Sequence, residues 1–239
     1  MTNPRAQDAT RGNRLLSSLS AESLQRLQPE VMEARLGEVV SRVGPIASHV
    51  VFPDYGTMVS VIRTDQEGAS VEVGVVGGEG AVPLHSALAS IPTGSECMIQ
   101  VPGPATRLRR EAVQEAFASD EAFRNAAVLF MSVYVDQISQ NAICNRLHPL
   151  EGRLAKWLLT SRQYTGKQSL SLTHDFMSHM LGVRRPGVTI AVNALALDGL
   201  IDHTRGAVVI IDHEGLELRA CECHAVLRNG WKRMMSEPT

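Results

Sequence analysis

Apolar positions along the chain follow different periods in succession. From about residue 37 to 107 they alternate with polar ones or gather in short β-branched runs. "SVEVGVV" sets Val71, Val73 and Val75 on one face, "TMVSVIRT" is β-branched, and the "TDQEGA" between them has turn chemistry. "CMIQVPG" is another short run, stopped by Pro-Gly. Many short strands punctuated by Gly and Pro predict an antiparallel sandwich or barrel, not a parallel sheet. Upstream, Leu15, Leu16, Leu19, Leu24 and Leu27 predict short helices, with Ser20 as an N-cap, and residues 1 to 14 read as a polar, frayed end.

From 110 to 145 the period becomes helical. Val128, Met131, Val135, Ile138 and Ala142 recur at spacings of 3, 4, 3 and 4, the seam of a helix paired with another helix. Ala127, Phe130 and Tyr134 form a second apolar stripe beside it. A helix apolar on two sides has two partners: its own domain and, on this reading, a second copy of the chain. A wide core face inside one domain is the alternative.

A third pattern follows. "HPLEGRLAKWLLTSR" predicts a helix with Pro149 at its first position and Leu150, Leu154, Trp157 and Leu158 along one side. "TGKQSLSL" reads as a loop. "LTHDFMSHML" predicts a helix capped by Thr173, with Asp175 in its first turn and Gly182 ending it. "RRPGVTIAVNAL" restarts at once, with Val188, Val192 and Leu195 on one face. "LIDHTRGAVVIID" predicts a β-hairpin turning at "HTRG", and the rest of the chain returns to helix.

Composition narrows the classes. At 44% apolar and 20% charged, the 239-residue chain reads as a globular protein with room for two domains. No apolar run reaches membrane-spanning length and the N-terminus lacks a signal-peptide core, so no membrane partner is expected. Four cysteines without a disulfide spacing make a reduced, cytoplasmic protein the expectation. Charge is uneven: residues 1–144 hold 11 Lys/Arg against 16 Asp/Glu, whereas residues 146–210 hold 8 against 4. The basic excess falls on the helix, turn, helix, hairpin segment, the direction expected for a nucleic-acid contact.

That order of elements is the order of a winged helix-turn-helix. The second helix buries one face on the first and presents the other. Arg184 and Arg185 stand at its start, and Arg185, Pro186, Thr189, Ile190 and Asn193 point away from the core. Arginine pairs bidentately with guanine, Asn with adenine, and Thr meets phosphate or a thymine methyl. Thr173 and Arg205, at the first helix start and the hairpin tip, complete the DNA-binding candidates through backbone contact.

These motifs, with "NRLHPLEGRLAKWLL" before and "RGAVVIIDHEGLE" after, closely resemble the C-terminal domain of Crp/Fnr-type bacterial transcription regulators. "VVFPDYGTMVSVIR" and "VEVGVVGGEGAV" resemble that family's effector domain. The resemblance implies an α+β chain: an N-terminal antiparallel β-roll (jelly-roll, cyclic-nucleotide-binding-like) over 13–118, a long dimerisation helix over 119–145, and a C-terminal winged helix-turn-helix over 146–239. It implies a homodimer on double-stranded DNA, with RNA polymerase a further candidate partner. Relatives that read the TGTGA-type half-site carry Arg-Glu at the start of the recognition helix and a second Arg one turn on. Arg185 matches the first, but Pro186 and Ile190 stand at the other two places, so a different operator is expected.

For the front domain, Gly78, Glu79 and Gly80 resemble the family's ribose-and-phosphate corner, and Ser95 is a candidate donor. The family's phosphate-binding arginine is missing, because no Lys or Arg lies between Arg63 and Arg107. A buried phosphate without a cation is costly, so cyclic AMP is not the expected effector. No cysteine precedes Cys97, which excludes an N-terminal iron–sulfur centre. His49 and His85 are weak haem candidates. "CECH" at 221–224 reads as small residues packing a C-terminal helix on which Cys221 and Cys223 point apart, so neither metal nor cofactor is expected. No catalytic motif stands out, so an enzyme is not expected. The alternative function is a ligand-binding or protein-interaction module with reduced DNA binding.

Overall fold

The computed structural model describes residues 12–236. The expectation of a frayed N-terminus therefore lies, up to residue 11, outside the described residues, as does the stretch beyond 236. The described residues divide into two compact units, 12–61 with 74–135 and 233–236, and 62–73 with 136–232.

The first unit opens on two short helices, α1 (Arg14–Ser17) and α2 (Ala21–Arg26). Asn13 caps α1 from a fully buried position. Its side-chain oxygen accepts from the Leu15 and Leu16 amides, and its amide donates to the Pro53 and Gly80 carbonyls at 2.7 and 2.8 Å. One polar side chain thus satisfies four main-chain groups, which is how it can stand inside a core. Ser20 caps α2, as its sequence position predicts.

Seven strands follow along the chain, with residues 62–73, the end of β4 and the start of β5, counted in the second unit: β1 (Glu30–Ala34), β2 (Val39–Ser41), β3 (His49–Pro53), β4 (Met58–Thr64), β5 (Ser70–Val76), β6 (Glu96–Val101) and β7 (Gly103–Arg109). They form two sheets, in the orders β1-β7-β3 and β2-β6-β4-β5. The first is antiparallel throughout, and β2 pairs antiparallel with β6 across an irregularity between Val39 and Ser41. Val50, Phe52, Met58, Val59, Ile99 and Leu108 are fully buried, in the antiparallel β-roll that the family resemblance implies. Helices α3 (Leu84–Ala89) and α4 (Arg110–Ser119) lead to the long α5 (Glu121–Leu147).

The expected apolar face of β5 is corrected by the structure. Val71 and Val73 are only half-buried, whereas Glu72 between them is 8% exposed. The Trp157 indole N–H donates to the Glu72 carboxylate at 2.9 Å. A hydrogen-bonded carboxylate can be buried where an unpaired one cannot.

The second unit continues with α6 (Leu150–Thr165), β8 (Ser169–Leu170), α7 (His174–Leu181), α8 (Arg185–Leu197), β9 (Ile201–Thr204), β10 (Ala207–Ile210), α9 (His213–Arg219) and α10 (Cys223–Ser236). Pro149 is the N-cap of α6 rather than its first helical residue. The expected loop at "TGKQSLSL" contributes a short strand, making a sheet of order β8-β10-β9. The expected C-terminal helix is two helices. Asp212 caps α9 by accepting from the Gly215 amide, and Ala220 leaves α9 in an extended conformation. Cys221 therefore precedes α10, and Cys221 and Cys223 do not share one helix as the sequence had suggested.

Among the described residues no helix is long and apolar enough to cross a membrane.

Candidate nucleic-acid interface

The recognition segment is built from α7, a turn and α8. The Thr173 hydroxyl accepts from the Phe176 amide at 3.1 Å and starts α7. Gly182 ends it at φ +62, the left-handed region that glycine enters without strain. The Gly182 and Val183 amides donate back to the His179 and Ser178 carbonyls, so the chain reverses within two residues. Arg184 is the N-cap residue of α8 and Arg185 its first helical residue, with Pro186 in the first turn, where its missing N–H is not needed.

One face of α8 is core. Val188, Val192 and Leu195 are fully buried and Ala191 nearly so, and α8 packs against both α6 and α7. Burying these four side chains fixes the opposite face. Arg184, Arg185, Pro186, Ile190 and Asn193 are exposed and Thr189 is half-buried, the arrangement the sequence predicts. The β9–β10 hairpin puts exposed Arg205 beside Gly206, whose φ of +94 makes the turn. Among the described residues, Arg184, Arg185 and Arg205 enter no ion pair with a carboxylate.

Two candidates are partly committed already. The Thr173 hydroxyl is occupied by its cap, and the Thr189 hydroxyl donates to the Arg185 carbonyl at 3.2 Å. Thr189 also lies 3.0 Å from His174 Nδ1, and the rings of His174 and His203 are 5.9 Å apart. Burial, then the neighbouring His203 and Arg185 charges, holds the His174 pKa below the usual imidazole range. The sequence reading missed this histidine pair. A cap-adjacent His174 gives no periodic signal, and His203 meets it only across the wing.

On α5, Val128 and Val135 are 49% and 59% exposed, Ala142 is exposed, and Met131 and Ile138 are half-buried. Ala127 and Phe130 on the second stripe are buried, and Tyr134 stacks on Phe130 at 5.7 Å. The two stripes thus part company: one is packed, the other uncovered along more than three turns.

In the front domain, Glu79 is buried and accepts from the Gly77 amide at 3.0 Å. A Cβ on Gly78 would fall 2.5 Å from the Tyr55 ring, and one on Gly80 would fall 2.0 Å from the Phe130 ring. Both glycines sit where ring and backbone press together. Ser95 belongs to another loop: its carbonyl accepts from the Thr93 hydroxyl, and residue 93 bonds to Gly44 and Pro45. A separate cleft of about 390 Å³ is lined by Ser41, Arg42, Ser48, His49 and Arg107 among others. Burial lowers the pKa of His85, the other weak haem candidate.

Residues 152–219 match the family model of the Crp-like helix-turn-helix domain. The fold is similar to that of a crp/fnr-family protein from Eubacterium rectale, at 15% identity and a TM-score of 0.69 over 87% of this chain and 98% of that one. It is similar to FixK2 from Bradyrhizobium japonicum at 13% identity and 0.67, over 81% and 98%. It is also similar to the c-di-GMP responsive global regulator CLP of Xanthomonas campestris at 15% and 0.65, over 80% and 99%. The sequence has no significant match among curated proteins.

Proposed function

From the premise that this chain is of the Crp/Fnr type, with a Crp-like helix-turn-helix domain and the fold of those transcription regulators, we infer that it acts as a homodimer reading a two-fold-related operator. In this reading residues 13–118 are an effector-type domain, 119–145 the dimerisation helix and 146–239 the DNA-binding domain. The observation that carries the reading is the set of three exposed cations, Arg184, Arg185 and Arg205, on the turn, recognition helix and wing, which have no carboxylate partner among the described residues.

Each element has a separate task. The amides at the start of α8 and the Arg184 guanidinium suit phosphate. Arg185 reaches base edges, and Asn193 offers both a donor and an acceptor to adenine. Pro186 has no hydrogen-bonding side chain, and Ile190 offers only apolar contact, for which a thymine methyl is the natural match. The operator therefore differs from the TGTGA-type half-site. The stripe Val128, Met131, Val135, Ile138 and Ala142, exposed or half-buried along its length, supplies a seam along which two copies pair. Cyclic AMP is not the effector in this reading, because the corner at Gly78–Gly80 is packed by rings and the chain has no arginine between 63 and 107.

Selection of binding sites from a random DNA pool tests the reading. The expected result is an inverted repeat unlike the TGTGA-type palindrome, bound with an affinity that falls as salt rises. No sequence preference would support the alternative, an interaction module with reduced DNA binding.

A further inference from the structure

Four side chains from two distant stretches converge at the end of α5. Cys144 lies in its last turn and His148 one turn further on, and they meet Cys221 from the break before α10 and Cys223 from its first residue. Their four ligand atoms all lie within 4.8 Å of one another. Cys144 Sγ is 3.6 Å from Cys221 Sγ, and Cys223 Sγ is 3.3 Å from His148 Nδ1. Tetrahedral zinc binds thiolate at about 2.3 Å and imidazole at about 2.0–2.1 Å, so its coordination edges are about 3.8 Å between sulfurs and about 3.6 Å from sulfur to nitrogen. Both observed pairs lie close to those edges.

The surroundings suit a metal better than they suit free thiols. Cys144 and Cys223 are fully buried. His148 Nε2 lies 3.0 Å from a Glu222 carboxylate oxygen, the outer partner that orients a ligating imidazole and fixes its tautomer with Nδ1 toward the metal. The Gln140 amide donates to Cys223 Sγ at 3.0 Å, a bond that favours thiolate. Three thiolates and a dication leave a net charge of about −1. Arg153 and Lys156 are both buried and without a carboxylate partner among the described residues; Lys156 acts electrostatically on Cys144, and Arg153 on Cys144 and Cys221, which offsets that charge. A simple Cys144–Cys221 disulfide would account for neither the His148–Glu222 pair nor the position of Cys223.

We propose that Cys144, His148, Cys221 and Cys223 bind one Zn²⁺ in a closed Cys₃His site. All four positions come from protein, which makes the site structural rather than catalytic, and a thiolate-rich tetrahedral set selects zinc over harder cations. The Cys221 amide bonds to the Gly152 carbonyl in the first turn of α6. The metal therefore fastens the end of α5 to the start of α10 beside the base of α6, the helix against which α8 packs. The proposal does not depend on what the recognition helix binds.

The test is metal analysis of the full chain purified under reducing conditions and dialysed against zinc. The expected result is about one zinc per chain, with the visible spectrum of tetrahedral thiolate cobalt after replacement by Co²⁺. Cys144→Ser and Cys223→Ser should each lose the metal. Glu222→Gln should retain the fold and release zinc to a chelator about ten- to a hundredfold more readily. Absence of zinc from the wild-type chain after dialysis, a Cys144–Cys221 disulfide in its place, or iron with acid-labile sulfide would each overturn the assignment.

Discussion

In the first unit Asn13, Thr57, Ser60 and Glu79 are all buried, and each bonds to main chain or to another buried side chain. In the second, Arg184, Arg185, Asn193 and Arg205 are exposed, and among the described residues the three arginines form no ion pair with a carboxylate. The same contrast separates two candidate ligand sites. The Gly78–Gly80 corner is contiguous in sequence, yet rings of Tyr55 and Phe130 pack against it. The Cys144, His148, Cys221 and Cys223 cluster is scattered in sequence, yet its ligand atoms converge. Polar residues that finish the fold leave little for a ligand. Those held apart from it by a buried opposite face keep their chemistry available.

Four further measurements would break or sharpen this contrast. The largest effect is expected at the packed corner. Gly80→Ala puts a methyl into the Phe130 ring, which must shift, so stability should fall by about 1–3 kcal/mol in denaturant titration. An unchanged midpoint would mean the corner is loose enough for a ligand. Comparable in energy but different in kind, Arg185→Ala should leave stability alone and lower discrimination between operator and random DNA by about 1–3 kcal/mol in competitive binding. Arg205→Ala should weaken all DNA sequences about equally and reduce the salt slope by about 1; a selective loss at one base position would move the wing from backbone contact to base readout.

The smallest effect concerns pH. His174 has a depressed pKa from burial and from the His203 and Arg185 charges, with Thr189 and Asp175 also close to it. It is neutral at pH 7, and a DNA phosphate would favour its protonated form. The added affinity is therefore complete below the pKa of the free protein and lost as pH rises through that of the complex. Binding should tighten a few-fold between about pH 7 and 5.5, and His174→Gln should flatten the profile. The same depression acts oppositely on folding: stability falls as pH drops below the unfolded imidazole value, because the unfolded chain takes the proton first. An affinity that does not change with pH would remove the histidine pair from the interface.

Much of the fold was legible in the chain because its signals are local. Period-two and period-3.6 patterns fixed strands and helices, Gly182 marked the turn, and the buried stripe of α8 determined which residues face outward. Glu72 shows where such reading stops. Its burial depends on Trp157, far away in sequence, and alternation alone puts the valines inward instead. The break at 220–222 is a second case: a cap at Asp212 and an extended Ala220 end one helix, where composition suggested a single continuous one.

By itself, then, the sequence determined the succession of strands and helices except at β8 and the break before α10, the winged helix-turn-helix, and the outward face with Arg184, Arg185, Thr189, Ile190 and Asn193, since each follows from neighbours within a few turns. Only the tertiary structure decided which stripe of α5 is covered, that rings close on Gly78 and Gly80, and that Cys144 and His148 reach Cys221 and Cys223. Those outcomes depend on residues tens of positions apart meeting through packing, and no period along the chain encodes them.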